Sequence, residues 1–435
     1  MRNESKRRMC VAFMVVSLAL AGFGAPAVAA QFGGLKDAAR KAKEAMQKKK
    51  DDEAQAQKEA EAKKEAEAKK EPEAKKETEA KKEPSASAPA DAAATPSFQA
   101  FSKFDFVPGE KVVGMDDFTQ DAVGDFPAKW NTNAAGEIVT LAGQSGRWLK
   151  LTRAGFFTPE FITELPDNVT LEYDLAVPPG ADPGFGLATV LVELPDLKQP
   201  AGWQTVPNSF QFTAHPSASG HGSSSAIPRL DGTSAPANST NTAQLTATKG
   251  KPVHIALWRQ RQRVRVYMNE EKVWDLPRAV SASAKFNSIV FFVGGGCGNC
   301  EYYLANVRVA TGAPDTRNKI LTEGKWVTRG ILFDVNSDRI KGESYGSLKE
   351  IASVLTENPD LKVQIVGHTD SDGDDAKNLD LSKRRAASVK AALTSEFKID
   401  ASRMETDGKG ESQPVDKNDT SAGKANNRRV EFIKK

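Results

Sequence analysis

Between Glu61 and Pro84 the chain repeats Glu-Ala-Lys-Lys-Glu-x four times, and a segment of this kind cannot bury a core. At about 100° per residue, six positions rotate a helix through about 600°, so each copy lands about 240° from the last and no apolar stripe accumulates. The pairs Glu65–Lys69, Glu71–Lys75 and Glu77–Lys81 sit at i,i+4 with the acid first and favour local helix. Pro72 and Pro84 interrupt it. The expectation is a charged, solvated, partly helical and partly disordered spacer over residues 31–97, closed by an Ala/Ser/Pro-rich linker from 85 onward. Were the charged stretch wholly helical, ~50 residues would reach ~75 Å. Mixed charge of this density reads as solvating, with a tether lying along an anionic polymer as the functional alternative.

The segment before the spacer has the layout of an export signal over residues 1–30. Arg2, Lys6, Arg7 and Arg8 form a basic start, an apolar run covers residues 11–23, and Ala27-Val28-Ala29 fits signal-peptidase cleavage. The run is shorter than the ~20 residues of a spanning helix, so a periplasmic or cell-envelope location is expected. Cys10 precedes the apolar core and leaves with the signal, so Cys297 and Cys300 remain as a pair in an oxidising compartment. Lys and Arg number 60 against 57 Asp and Glu, a net charge of +3, which gives no reason to expect a nucleic-acid partner. Four His leave little material for metal or general-base chemistry, and neither metal nor cofactor is expected.

Residues 98–315 change texture, with many Gly and Pro and most of the Trp. Alternating apolar and polar residues recur over 169–177, 253–258, 263–268, 272–276 and 302–309, while 288–293 is continuously apolar, as in a strand covered on both faces. Turn residues bound these runs, and an antiparallel β-sandwich is expected. The stretch from His254 to Leu276 resembles the strand–turn–strand core of laminin-G and concanavalin-like jelly rolls. Glycosidases of that architecture resemble one another in a Glu-x-Asp-x-x-Glu strand; here Glu172-Tyr173-Asp174 begins the pattern, but its third position is Val177. Hydrolysis then lacks a proton donor, and the two carboxylates read as outward-facing on a solvated strand. Cys297-Gly-Asn-Cys300 runs into a strand-like segment instead of a helix, so a short structural disulfide is expected over a redox or zinc site. Long polar interruptions such as residues 216–242 argue against a transmembrane barrel.

The last part, residues 325–435, reads as β-α-β-α-β with a final strand: strands at 330–335, 361–366, 403–410 and 429–433, and helices at 343–357 and 381–393. Asn358-Pro359 should stop the first helix. Three motifs occur in order: Gly367-His368-Thr369-Asp370-x-x-Gly373, then Asn378-x-x-Leu381-Ser382-x-x-Arg385-Ala386, then Asn427-Arg428-Arg429-Val430. Together with Phe333-x-x-Asn336-Ser337 and Gly410-Glu411-x-x-Pro414, this stretch resembles the OmpA-like C-terminal domain. The resemblance implies an α/β fold and non-covalent binding of peptidoglycan. It further implies that Asp370 and Arg385 hold the diaminopimelate of the stem peptide, with Thr369, Asn378, Ser382 and Arg428 as further candidate ligand-binding residues.

The chemistry suits those residue types. A free diaminopimelate end carries an ammonium and a carboxylate on one carbon; Arg pairs a carboxylate bidentately and Asp accepts from an ammonium. Asn378, Ser382 and Arg385 follow at i, i+4 and i+7 and share a helix face. Two structural alternatives stand beside this: an internal Asp370–Arg385 salt bridge, and Asn427-Arg428-Arg429 stapling the last strand. Asp370-x-Asp372-x-Asp374 imitates a calcium loop, but Asp375 occupies the position that needs Gly and Leu381 the one that needs Glu. The chain therefore reads as a non-enzymatic, peptidoglycan-anchored envelope protein whose β-sandwich faces a glycan or protein partner. The alternative is a polysaccharide-acting enzyme localised by the same C-terminal module.

Overall fold

The computed structural model describes residues 104–218, 222–246, 250–294, 301–312 and 316–435. The expected export signal, the charged spacer and the Cys297–Cys300 pair lie outside them. Two eight-stranded sheets occupy the region before residue 312, and all strand pairings within them are antiparallel. One runs Glu271–Leu276, Arg263–Met268, Val253–Gln260, Asn168–Ala176, Tyr302–Thr311, Trp148–Leu151 and Gly136–Val139, with Lys111–Asp116 also pairing onto Tyr302–Thr311. The other is centred on Leu187–Val192 and Ser288–Val293. Alternation decides which side chains meet: Leu171, Tyr173 and Leu175 of one sheet share a core with Leu187, Phe210 and Phe291 of the other. Ser288–Val293 is apolar throughout because Ile289, Phe291 and Val293 face that core, while Val290 packs outside with Val206 and the half-buried Trp203.

Glu172 and Asp174 project away from this core, as expected, but the expected solvated strand is corrected. Glu172 is 4% exposed and pairs with the Arg308 guanidinium. Asp174 accepts from His254 Nδ1 at 2.8 Å and from Asn306 Nδ2 at 2.6 Å. His254 Nε2 stands 3.6 Å from Glu172 Oε2, too far for a hydrogen bond but close enough for charge pairing. Burial alone would push the His254 imidazole down; the hydrogen bond to Asp174 and the charges of Asp174 and Glu172 outweigh it and push it up to about 10. These carboxylates are consumed by an internal charge network.

In the C-terminal part, β1 (Lys325–Thr328), α1 (Tyr345–Glu357), β2 (Val363–His368), α2 (Asp375–Ser395), β3 (Met404–Gly410), α3 (Ser421–Asn427) and β4 (Val430–Lys434) follow in order. The sheet is ordered β1-β4-β2-β3, with β2 and β3 parallel and the other pairings antiparallel. Leu348, Ile351 and Leu355 of α1 and Ala386, Val389 and Leu393 of α2 pack on Val363, Ile365 and Phe432. Asn358 ends α1 as expected, its side chain donating to Val354 O at 2.8 Å.

The expected strand at 330–335 is corrected: the first strand lies earlier, and 330–335 contributes one isolated bridge, Phe333 to Ile340. Its peptide groups are satisfied locally. Ser344 Oγ accepts from Leu332 N at 2.8 Å and donates to Leu332 O at 3.1 Å, and Asn336 turns the chain at φ 53°. Arg385 donates to the Asp334 and Ser337 carbonyls from α2. Helix α3 was not expected from the sequence.

The described residues, from 104 onward, belong to one compact unit, so the two cores share a seam. Asn426 of α3 accepts from Val112 N at 3.0 Å and donates to Val112 O at 2.9 Å, and Val112, Ala310 and Ala425 pack together beside it. Phe104, Phe106, Trp258 and Tyr267 form an aromatic cluster against which Tyr345 of α1 rests.

Two glycines let α2 lie against the sheet. A Cβ on Gly367 would stand 2.2 Å from Ser382 O, and one on Gly408 2.4 Å from Lys383 N, both backbone atoms of the helix. Gly367→Ala is therefore expected to lower stability by about 1–3 kcal/mol through overpacking. Denaturant unfolding monitored by circular dichroism reads this directly, and unchanged stability would show that α2 can shift freely.

Candidate functional site

Strand β2 delivers Gly367 and His368 to the sheet edge, and the chain leaves it at Thr369, whose N–H donates to Gly410 O at 2.9 Å. Asp370 follows, 7% exposed; its Oδ1 accepts from Asp372 N at 3.2 Å, and its Oδ2 is paired with Arg428 Nη1. The acidic loop after it is spent locally. Asp374 caps α2 by accepting from Lys377 N at 3.0 Å, and Asp372 pairs with Lys424 at 2.7 Å. Asn378 ties the loop to the helix by donating to Asp370 O at 3.4 Å, Asp372 O at 3.1 Å and Glu411 Oε2 at 2.6 Å.

Arg385, two turns along α2, lies over the Phe333 ring at 4.9 Å and donates to Ser337 O at 3.0 Å and Asp334 O at 3.4 Å. Burial lowers the pKa of its guanidinium, the positive charge of Arg428 lowers it further, and Asp370 acts in the opposite sense. Among the described residues no carboxylate lies within 4 Å of Arg385. The alternative of an Asp370–Arg385 salt bridge is thus not what forms: Asp370 takes Arg428, and Arg385 keeps only carbonyl partners and a ring.

The Asn427-Arg428-Arg429 segment divides between the two roles weighed for it. Asn427 holds the preceding loop, accepting from Val415 N at 2.8 Å and donating to Asp416 O at 2.8 Å. Arg429 is buried and paired with Glu431 at 2.8 Å; burial alone would push the Glu431 carboxyl up, but Arg429, Lys325 at 2.7 Å and the nearby His368 outweigh it and hold the carboxyl far below the usual range. Arg428 alone turns toward Asp370.

Arg385 and Arg428 line one cavity of ≈ 150 Å³ together with Phe333 and His368. Asp370 reaches this site through Arg428. Ser382 is fully buried, donating to Leu379 O at 2.8 Å and accepting from Gly410 N at 2.9 Å, and the Thr369 hydroxyl is buried without a hydrogen-bond partner. Asn378 and Ser382 share a helix face, as expected, but that face is turned into the protein. Met115, Arg308 and Arg329 also line the cavity. No local pattern in the sequence links residues 115, 308 and 329 to a motif near 370. Among the described residues no helix is long and apolar enough to cross a membrane, and no group of three or more metal-ligating side chains occurs.

Residues 332–428 match the OmpA family. Outer membrane porin F of Pseudomonas aeruginosa is 38% identical over 133 residues, which cover 30% of this chain and 37% of that protein. A probable lipoprotein of Escherichia coli, YiaD, is 38% identical over 151 residues, covering 32% of this chain and 65% of the relative. Among solved structures, the peptidoglycan-associated lipoprotein of Burkholderia pseudomallei matches 28% of this chain and 98% of its own at 27% identity, with a TM-score of 0.24. The chain thus spans 37% and 65% of the length of these two curated relatives, and all three matches cover less than a third of it. Residues 332–428 constitute an OmpA family domain.

Proposed function

We propose that the protein is a non-enzymatic component of the bacterial envelope that binds peptidoglycan through its C-terminal domain. In this reading the zwitterionic end of stem-peptide diaminopimelate enters the cavity, Arg385 forks its carboxylate and Asp370 accepts from its ammonium. The observation that carries the reading is the state of Arg385: a half-buried guanidinium lining a cavity, with its pKa lowered by burial and with only backbone carbonyls for partners. A carboxylate is the complement it lacks. Arg428 already holds the Asp370 carboxylate in place, and an entering ammonium shares that carboxylate. Asn378, Ser382 and Thr369 serve this site from behind, fixing the loop and the helix against each other.

Envelope placement is supported by relatives named as outer membrane proteins and lipoproteins. The two-sheet region is read as a jelly-roll-like β-sandwich anchored to the wall by this domain. The consumption of Glu172 and Asp174 in ion pairs supports binding over glycoside hydrolysis.

Co-sedimentation of the full chain with purified sacculi tests the reading. Pelleting with diaminopimelate-containing sacculi, released by soluble meso-diaminopimelate and absent with sacculi carrying lysine at that position, is the expected result. Equal pelleting with both wall types would overturn it.

A further inference from the structure

The cavity holds more positive charge than a single carboxylate explains. Five arginines line it, Arg308, Arg329, Arg385, Arg428 and Arg429, and no acidic side chain does. Three are matched by carboxylates that stand behind them: Glu172 on Arg308, Asp370 on Arg428 and Glu431 on Arg429. Arg385 and Arg329 are not. Arg329, at the seam between the two cores, donates only to the carbonyls of Asn426 (3.1 Å) and Glu110. Burial and the neighbouring charges of Arg429 and Arg308 push it down to about 10, outweighing the opposing carboxylates of Glu110 and Asp416, so it remains a cation at neutral pH in a place that disfavours one. Arg308 adds a second sign of deficit, being 9% exposed with a buried Nη2 that has no hydrogen-bond partner.

Arg329 and Arg385 line the same cavity without a carboxylate partner in contact, so a dianion relieves both while a monoanion relieves one. Met115 and Arg308 come from the two-sheet region, so this part of the wall exists only when that region is docked on the OmpA family domain.

We propose that Arg329, backed by Arg308, forms a second anion subsite that takes a further carboxylate of the same acidic peptide, making the cavity a reader of peptides with two free carboxylates. This rests on the peptidoglycan reading for the first carboxylate, held by Arg385. The two-sheet region is then a component of the binding site as well as its cargo. Stem peptides vary in this respect, since individual carboxylates along them occur free or amidated, and the subsite distinguishes those forms.

The test is calorimetric titration of the full chain with the tripeptide L-alanyl-γ-D-glutamyl-meso-diaminopimelate and two monoamides of it, one at the D-glutamyl α-carboxyl and one at the peptide terminus. Wild type is expected to bind the triacid about tenfold more tightly than at least one monoamide, as for loss of one charge-assisted pair. Which amide is penalised identifies the carboxylate read. Arg329→Gln is expected to remove that preference while still binding the amide, and Arg329→Lys to retain part of it. Because Arg329 also tethers Glu110 and Asn426, Met115→Glu provides a second approach: it places a carboxylate on the cavity wall without touching those bonds, and the preference should again vanish. Equal wild-type affinity for all three peptides, or an undiminished preference in both Arg329→Gln and Met115→Glu, would overturn the subsite while leaving the first reading intact. Absence of binding by wild type to every peptide would overturn both.

Discussion

Arg385→Ala is expected to weaken binding of diaminopimelate peptides by at least about thirtyfold, since truncating one side of a desolvated charge pair costs roughly 2–5 kcal/mol. The loss has little to do with fold. Arg385 donates to two backbone carbonyls and covers Phe333, and none of these is a buried charge that would be stranded. Unfolding should therefore shift little while affinity collapses, and titration calorimetry beside thermal denaturation separates the two. Asp370→Ala is expected to lose as much and also to free Arg428, leaving Arg385 and Arg428 facing the cavity without an acid. Asp370→Asn keeps a side-chain oxygen able to accept from Asp372 N, so it removes the charge with the least disturbance to the loop. Both Asp370 variants should bind at least about thirtyfold more weakly. Wild-type affinity in either would place the ligand elsewhere.

The second large effect lies outside the site. His254→Leu is expected to destabilise the two-sheet region by roughly 3–5 kcal/mol, the cost of breaking a buried charge pair by removing one partner. Asp174 would keep Asn306 and Glu172 would keep Arg308, but Asp174 would lose the cation hydrogen-bonded to it. The same network sets a pH dependence. The His254 imidazole is held up to about 10, above its ordinary value near 6.5, so folding binds its proton more tightly than the unfolded chain does. That stabilisation is complete below about pH 6.5, declines as pH rises, and is lost once pH passes about 10. Denaturant midpoints across pH 6 to 10 should fall in wild type, and this His254-dependent part of the fall should be missing in His254→Leu. Parallel profiles would show that His254 is neutral in the folded protein.

The comparison with the sequence turns on where each signal is local. Period-two alternation located Arg263–Met268 and an unbroken apolar run located Ser288–Val293 at their observed limits, because a strand with one covered face, or with two, leaves a direct trace in residue order. Of the residues singled out in the three C-terminal motifs, Arg385 and Arg428 line one cavity and Asp370 pairs with Arg428; Asp370 and Arg385 are near because β2, the loop after it and α2 are contiguous. The misplaced strand at 330–335 shows the limit. Ile331, Leu332 and Phe333 look like a strand, but the hydrogen bonds that decide the matter come from Ser344 and Arg385, one of them more than fifty residues away. The Glu172–His254–Asp174 network was invisible for the same reason. A carboxylate at an outward position of a strand reads as solvated until a histidine from the next strand and an arginine from the one on the other side close over it. Asn378 and Ser382 were placed on a common helix face, yet periodicity alone does not say whether that face looks into the cavity or toward β3.

One double-mutant cycle tests the shared claim that a guanidinium and a carboxylate read opposite charges on one carbon. The full chain, Arg385→Ala, Asp370→Ala and the double variant would each be titrated with the same diaminopimelate tripeptide. If both groups grip a single zwitterion, removing either releases it from the other, and the double variant should lose little more than one single variant, a coupling nearly as large as the loss in one of them. Losses that simply add would contradict the account, because two independent contacts would then be holding two separate parts of the ligand.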